Sequence, residues 1–167
     1  MLLQRILMLT ACFMIPAQGA CMSIPSLNPF KKEVYLMSPL KGQLVKDGEP
    51  LANTALEVML SMPGGEQRTF AHQTDKNGFF DLPAITEKMH VGPMTEFAVS
   101  QYVFALIDGE KVRLWYAGKR EPELHGEFTP AGEPVDLVCD LDAEQITHRE
   151  MAGVILTKCK WKTIRRL

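Results

Sequence analysis

The chain has almost no charge excess. Net charge is −2 over 167 residues, so there is no basic surplus to drive general nucleic-acid binding. Cysteine is scarce, with four in the whole sequence, too few for a disulfide-framework protein. Histidine is as scarce: His72, His90, His125 and His148 stand singly. None lies at helical or hairpin distance from Cys139 or Cys159, so no zinc pattern forms. A Gly-x-Ser-x-Gly elbow, a His-Glu-x-x-His helix and a phosphate-cradling glycine loop are all missing. Asp75-x-Asn77-Gly78 gathers oxygen ligands but lacks the later bidentate glutamate of a calcium loop. Asp140, Asp142 and Glu144 read as a solvated acidic loop rather than a general acid–base pair. Internal repeats and low-complexity tracts are absent too. These absences together predict no metal, no cofactor and no enzymatic activity, with a hydrolase the lowest-ranked alternative.

What is present begins at the N-terminus. Arg5 precedes an apolar run from Ile6 to Ile15, followed by Pro16 and small residues up to Cys21. That layout predicts a signal peptide over residues 1–20. The run is too short to span a bilayer as a mature helix, and no polar face is interleaved as in a buried amphipathic helix. Two processing routes are open. Ala17-Gln18-Gly19 fits an ordinary small-x-small cleavage site, giving a soluble periplasmic protein. Gly19-Ala20-Cys21 resembles the end of a bacterial lipobox, although Gln18 stands where an apolar residue is usual. Leu9-Thr10-Ala11-Cys12 matches the box by residue type, but the apolar run before it is too short. Cysteine parity favours Cys21 as a lipid-attachment site. If Cys139 and Cys159 pair, Cys21 is left over after cleavage, and acylation accounts for an odd exported cysteine. Residues 21–33 then read as lipid anchor and tether, with Pro25, Pro29, Lys31 and Lys32 and no apolar periodicity. Met22 follows the cysteine; by resemblance to enterobacterial lipoproteins, this implies the periplasm and sorting to the outer membrane.

One domain is expected over residues 34–167, and 46% apolar residues suffice to fill its core. The organising stretch is 42–82. Leu56, Val58 and Leu60 alternate with Glu57, Met59 and Ser61, a period of two that puts one face on a core. Gly48 and Pro50, then Pro63-Gly64-Gly65, then Asp75-Lys76-Asn77-Gly78 mark three turns. The order Gly42-x-Leu44, Gly48-x-Pro50-Leu51-Ala52, Ala55-x-x-Val58 and Thr74-Asp75-x-x-Gly78-x-Phe80 resembles the carboxypeptidase-regulatory-like, or transthyretin-like, domains. The likeness covers about a quarter of the chain. It implies an all-β fold, a single antiparallel β-sandwich of about seven to eight strands, transthyretin-like or Ig-like, and it implies no chemistry.

Further on, Val34 to Leu36 is expected to open the sandwich. Residues 83–96 read as a loop with a helical turn. Residues 97–107 and 111–116 read as a hairpin about Asp108-Gly109. In its second strand Val112, Leu114 and Tyr116 are expected on one side, Arg113 and Trp115 on the other. Residues 118–134, with three glycines and three prolines, read as a long surface loop. Val135 to Leu141 reads as a strand, 142–152 as one or two helical turns, and Gly153 to Trp161 as the last strand. Cys139 and Cys159 then fall on neighbouring late strands, where an oxidising compartment allows a disulfide.

Two surfaces are unexplained by folding needs. The loop carries Lys119 and Arg120. The basic end carries Lys158, Lys160, Lys162, Arg165 and Arg166 around Trp161. Lys119, Arg120, Trp161, Arg165 and Arg166 are therefore the candidate partner-binding residues, for a protein or an anionic membrane surface. The expected function is a non-enzymatic, exported and lipid-anchored sandwich that binds a protein in the envelope, with toxin immunity as one form. The alternative is a module binding carbohydrate or a small ligand, with Tyr102, Trp115, Tyr116 and Trp161 as its aromatics.

Overall fold

The structure, a computed structural model, describes residues 31–92, 96–161 and 163–166. The expected signal peptide, Cys21 and the tether up to residue 30 lie outside the described residues, as does Lys162. Within those residues the chain is all β, with no helix.

β1 (Lys32–Met37) leads into β2 (Leu40–Lys46), and Asp47 and Gly48, at φ 51° and 80°, turn the chain into the short β3 (Glu49–Pro50). β4 (Ala55–Ser61) and β5 (Gln67–Gln73) form a hairpin around Gly64 and Gly65. β6 (Phe79–Leu82) follows the Asp75–Gly78 turn, and β7 (Ile85–Met89) runs back along β1. β8 (Val99–Ile107) and β9 (Glu110–Lys119) make the long hairpin. Then come β10 (Glu133–Val135), β11 (Leu137–Asp140), β12 (Ile146–His148), β13 (Ile155–Thr157), β14 (Cys159–Lys160) and β15 (Thr163–Arg165).

These segments assemble into two main sheets. The larger has the order β12-β13-β9-β8-β4-β5; the smaller has β14-β11-β2-β3, with β6 also on β2. Leu56, Val58, Val103, Trp115 and Ile155 from the larger meet Leu40, Leu44, Phe80, Leu82, Leu137 and Cys139 from the smaller in one core. This is the expected all-β sandwich. Its pairings are antiparallel apart from β11, which lies parallel to β2. That parallel contact is close. A Cβ built on Gly42 would come within 2.7 Å of the Leu137 Cβ and 2.8 Å of the Phe80 ring, so glycine lets β2 sit between β6 and β11.

Cys139 and Cys159 face each other in register across β11 and β14 and are disulfide-bonded. The Asp75 turn also forms as expected: Asp75 Oδ1 accepts from the Asn77 and Phe79 amides, and Gly78 has φ 76°.

Several local expectations are corrected. The helical turns expected in 83–96 and 142–152 are strands, β7 and β12, because each finds a partner edge in β1 and β13. The expected strand 135–141 is broken at Asp136, which sits at φ 54°, so β10 leaves the sheet and pairs with β15. In β9 the expected alternation fails at a bulge. Val103 pairs with Trp115 and Phe104 with Arg113, which leaves Leu114 as the extra residue. Leu114 and Trp115 are therefore both buried, and from Trp115 onward the inward positions are Trp115, Ala117 and Lys119.

Candidate functional site

The long segment 120–132 is not a free loop. It carries Glu127 and Phe128 into the interior, where both are 1% exposed. Lys119, at the inward end of β9 and 0% exposed, is ion-paired and hydrogen-bonded to Glu127. The Glu127 carboxylate also accepts from the Ser38 amide at 3.0 Å, the Ser38 hydroxyl at 2.8 Å and Gln101 Nε2 at 3.2 Å. Lys119 Nζ donates a second bond to the Glu123 carbonyl at 2.7 Å, and Ser38 Oγ accepts from the His125 amide at 2.8 Å. Burial alone pushes the Glu127 carboxyl up, but the Lys119 ammonium and the donated hydrogen bonds outweigh it and hold the group below the usual glutamate range. A buried charge pair with its remaining valences satisfied is what keeps such groups ionised. The cluster is closed to solvent, so it clips the segment to the sheet and offers nothing to a ligand.

The surface left over is elsewhere. On the solvent side of the larger sheet one row of registered residues runs Thr69, Met59, Tyr102, Tyr116 and Leu156. Met59, Tyr102, Tyr116 and Leu156 are half-buried. Phe104, in the next row of β8, stacks with Tyr102 at 5.9 Å and an interplanar angle of 6°; Tyr102 and Tyr116 lie 5.1 Å apart. A charged fringe flanks the rings. Lys111 Nζ sits 5.8 Å over the Phe104 ring and pairs with Glu57, while Arg113 bonds Gln145. The exposed face of an antiparallel sheet is normally polar. In this row aromatic and aliphatic side chains stand there instead, each of them half-buried.

The residues singled out from the sequence do not come together. Lys119 is buried and bound to Glu127. Trp161 packs 6.4 Å from Trp115 and 4.3 Å from His148, at the margin of the core. Arg165 lies in β15 and reaches Glu133 at 3.2 Å, while Arg120 and Arg166 are exposed. Lys158 donates to the Leu141 carbonyl at 2.6 Å and Lys160 projects from β14. Among the described basic residues of this end, Lys160 lies on β14 and Arg165 on β15. Of the four aromatics considered for a ligand, Trp115 and Trp161 belong to the core side, and Tyr102 and Tyr116 to the open face. Phe104 joins them from the outward side of β8, and Met59 lies on the outer side of the 56–61 alternation, as expected. Among the described residues no three His, Cys, Asp or Glu side chains converge to hold a metal.

The family model described as "Domain of unknown function (DUF6795)" matches residues 40–144. The chain belongs to the DUF6795 family. The DUF6795 match takes in Tyr102, Phe104, Tyr116, Lys119 and Glu127, and leaves Ser38, Leu156 and Cys159 outside it. Neither a curated protein nor a solved structure matches the chain.

Proposed function

We propose that this DUF6795 protein is a non-enzymatic binding module of the cell envelope that docks a protein partner on the open face of its six-stranded sheet. The observation that carries this reading is the Met59–Tyr102–Tyr116–Leu156 row with Phe104 beside it. Tyrosine suits such a surface. Its ring supplies apolar contact at low entropic cost, and its hydroxyl stays wet until a partner arrives. In this reading the chain is exported by the segment 1–20 and held at the outer membrane by lipid on Cys21. Its sandwich is of the carboxypeptidase-regulatory-like kind. The in-register disulfide supports an oxidising compartment, and the glycines at 42, 48 and 78 fall where that family's motif order wants them. A toxin that enters the envelope is one partner of the expected kind, with this chain as its immunity protein.

Affinity capture from envelope extracts tests the docking face. Wild-type protein is expected to retain a partner that Tyr116→Glu loses, with the melting temperature nearly unchanged because the substituted ring lies on the solvent side. Equal capture by both would remove the face from the account.

A further inference from the structure

The opposite side of the sandwich carries a second, chemically different surface. Across the outer face of the smaller sheet, Phe79 on β6, Gln43 on β2, Val138 on β11 and Lys160 on β14 form one registered row. Phe79 is 52% exposed and Val138 40%. An open groove of about 810 Å³ runs over Phe79, Gln43 and Val138 of this row, with Asn53, Gln73, Asp81 and Asp136 among its walls. We propose that this groove binds an acetamido-sugar oligosaccharide.

Three features support that class. First, the half-exposed Phe79 ring, bordered by the Asn53 and Gln73 amides and by Asp81 in its 2.6 Å pair with Lys41, suits the apolar face of a pyranose, whose hydroxyls point sideways into such groups. Second, Phe79 and Val138 are two strand spacings apart, roughly 10 Å, which is about the length of a disaccharide. The second apolar contact is a small branched aliphatic instead of an aromatic, which fits the methyl of an acetamido group on the next ring. Third, Gln43 between them donates Nε2 to the Asn77 carbonyl at 2.9 Å. That bond fixes the amide and leaves Oε1 to accept from a sugar hydroxyl or acetamide N–H. The groove is open and shallow, as a chain ligand needs.

Calorimetric titration of the purified full chain with the tetramer of β-1,4-linked N-acetylglucosamine tests the proposal. Wild type is expected to bind with Kd below about 1 mM, and Phe79→Ala to weaken binding by roughly tenfold or more, equivalent to 1.4 kcal/mol. Val138→Ala should weaken the acetamido tetramer but not the glucose tetramer. No heat with wild type, or the same affinity for Phe79→Ala, overturns the site. Equal binding of both tetramers by wild type overturns the acetamido assignment. Tyr116→Glu is the internal control. It lies on the other sheet and should leave sugar binding intact, so failure here and failure of the protein-docking reading are separable.

Discussion

Glu127 shows how one residue can decide what a segment is. Removing one partner from a buried ion pair leaves the other charge unpaired, at a cost of about 3–5 kcal/mol. Glu127→Ala should therefore destabilise the fold on that scale in denaturant titration. Lys119→Met with Glu127→Gln should lose clearly less than the sum of the single changes. The pH dependence follows from the lowered carboxyl. A group whose folded pKa is depressed stabilises fully above its unfolded value, near 4.3 for glutamate, and the stabilisation fades as pH falls through the lower folded value. The gap in unfolding free energy between wild type and Glu127→Gln should thus be constant near neutrality and shrink below about pH 4. A gap that stays flat to the acid limit would mean that Glu127 is not held ionised. Gly78 makes a second residue-scale case. At φ 76°, with the Leu44 carbonyl 2.8 Å from where a Cβ would sit, Gly78→Val should cost about 1–3 kcal/mol. An unchanged denaturation midpoint would contradict that turn geometry.

At the scale of elements, the disulfide between β11 and β14 is the clearest single contributor. It closes a sequence separation of 20 residues, worth about 3 kcal/mol in the chain-entropy model. Cys139→Ala with Cys159→Ala should lower stability by that amount, and peptide mapping without reductant should recover the linked fragments from wild type. Elements were legible in the sequence wherever local pattern and long-range pairing agree: the 56–61 alternation, the Asp75–Gly78 turn and the Cys139/Cys159 pairing. They were not legible where pairing overrides pattern. Residues 85–89 and 146–148 are short and show no apolar alternation despite their Ile-Thr starts, and they become strands because β1 and β13 offer them an edge. The bulge at Leu114 resets the alternation of β9, and a lysine is read as solvent-facing unless its buried partner is known. Glu127 gives no sign of that role eight residues away. The segment 118–134 therefore looked like a free surface when it is a packed strap. Tyr102 and Tyr116 were legible as candidate ligand aromatics, but only the pairing of β4, β8, β9 and β13 sets them in one row with Met59 and Leu156.

For the whole molecule, the division of labour follows from which faces are already occupied. The core side of both sheets is filled, and the segment 120–132 is tied to it through the buried Glu127 and Phe128. The described residues leave open, among other surfaces, an aromatic row on one sheet and a groove of mixed polarity on the other. Acylation at Cys21 predicts that radiolabelled palmitate enters wild type and not Cys21→Ala; equal labelling of both, or labelling of neither, would sink the lipoprotein reading. The account rests most heavily on the aromatic face. The direct test is the affinity of the captured, purified partner for wild type and for Tyr102→Ala with Tyr116→Ala, with circular dichroism to confirm the fold. The account predicts a loss of about 2 kcal/mol or more, roughly thirtyfold in Kd. Unchanged affinity in that variant, together with loss of binding in Arg165→Glu with Arg166→Glu, would contradict it and return the interface to the basic end.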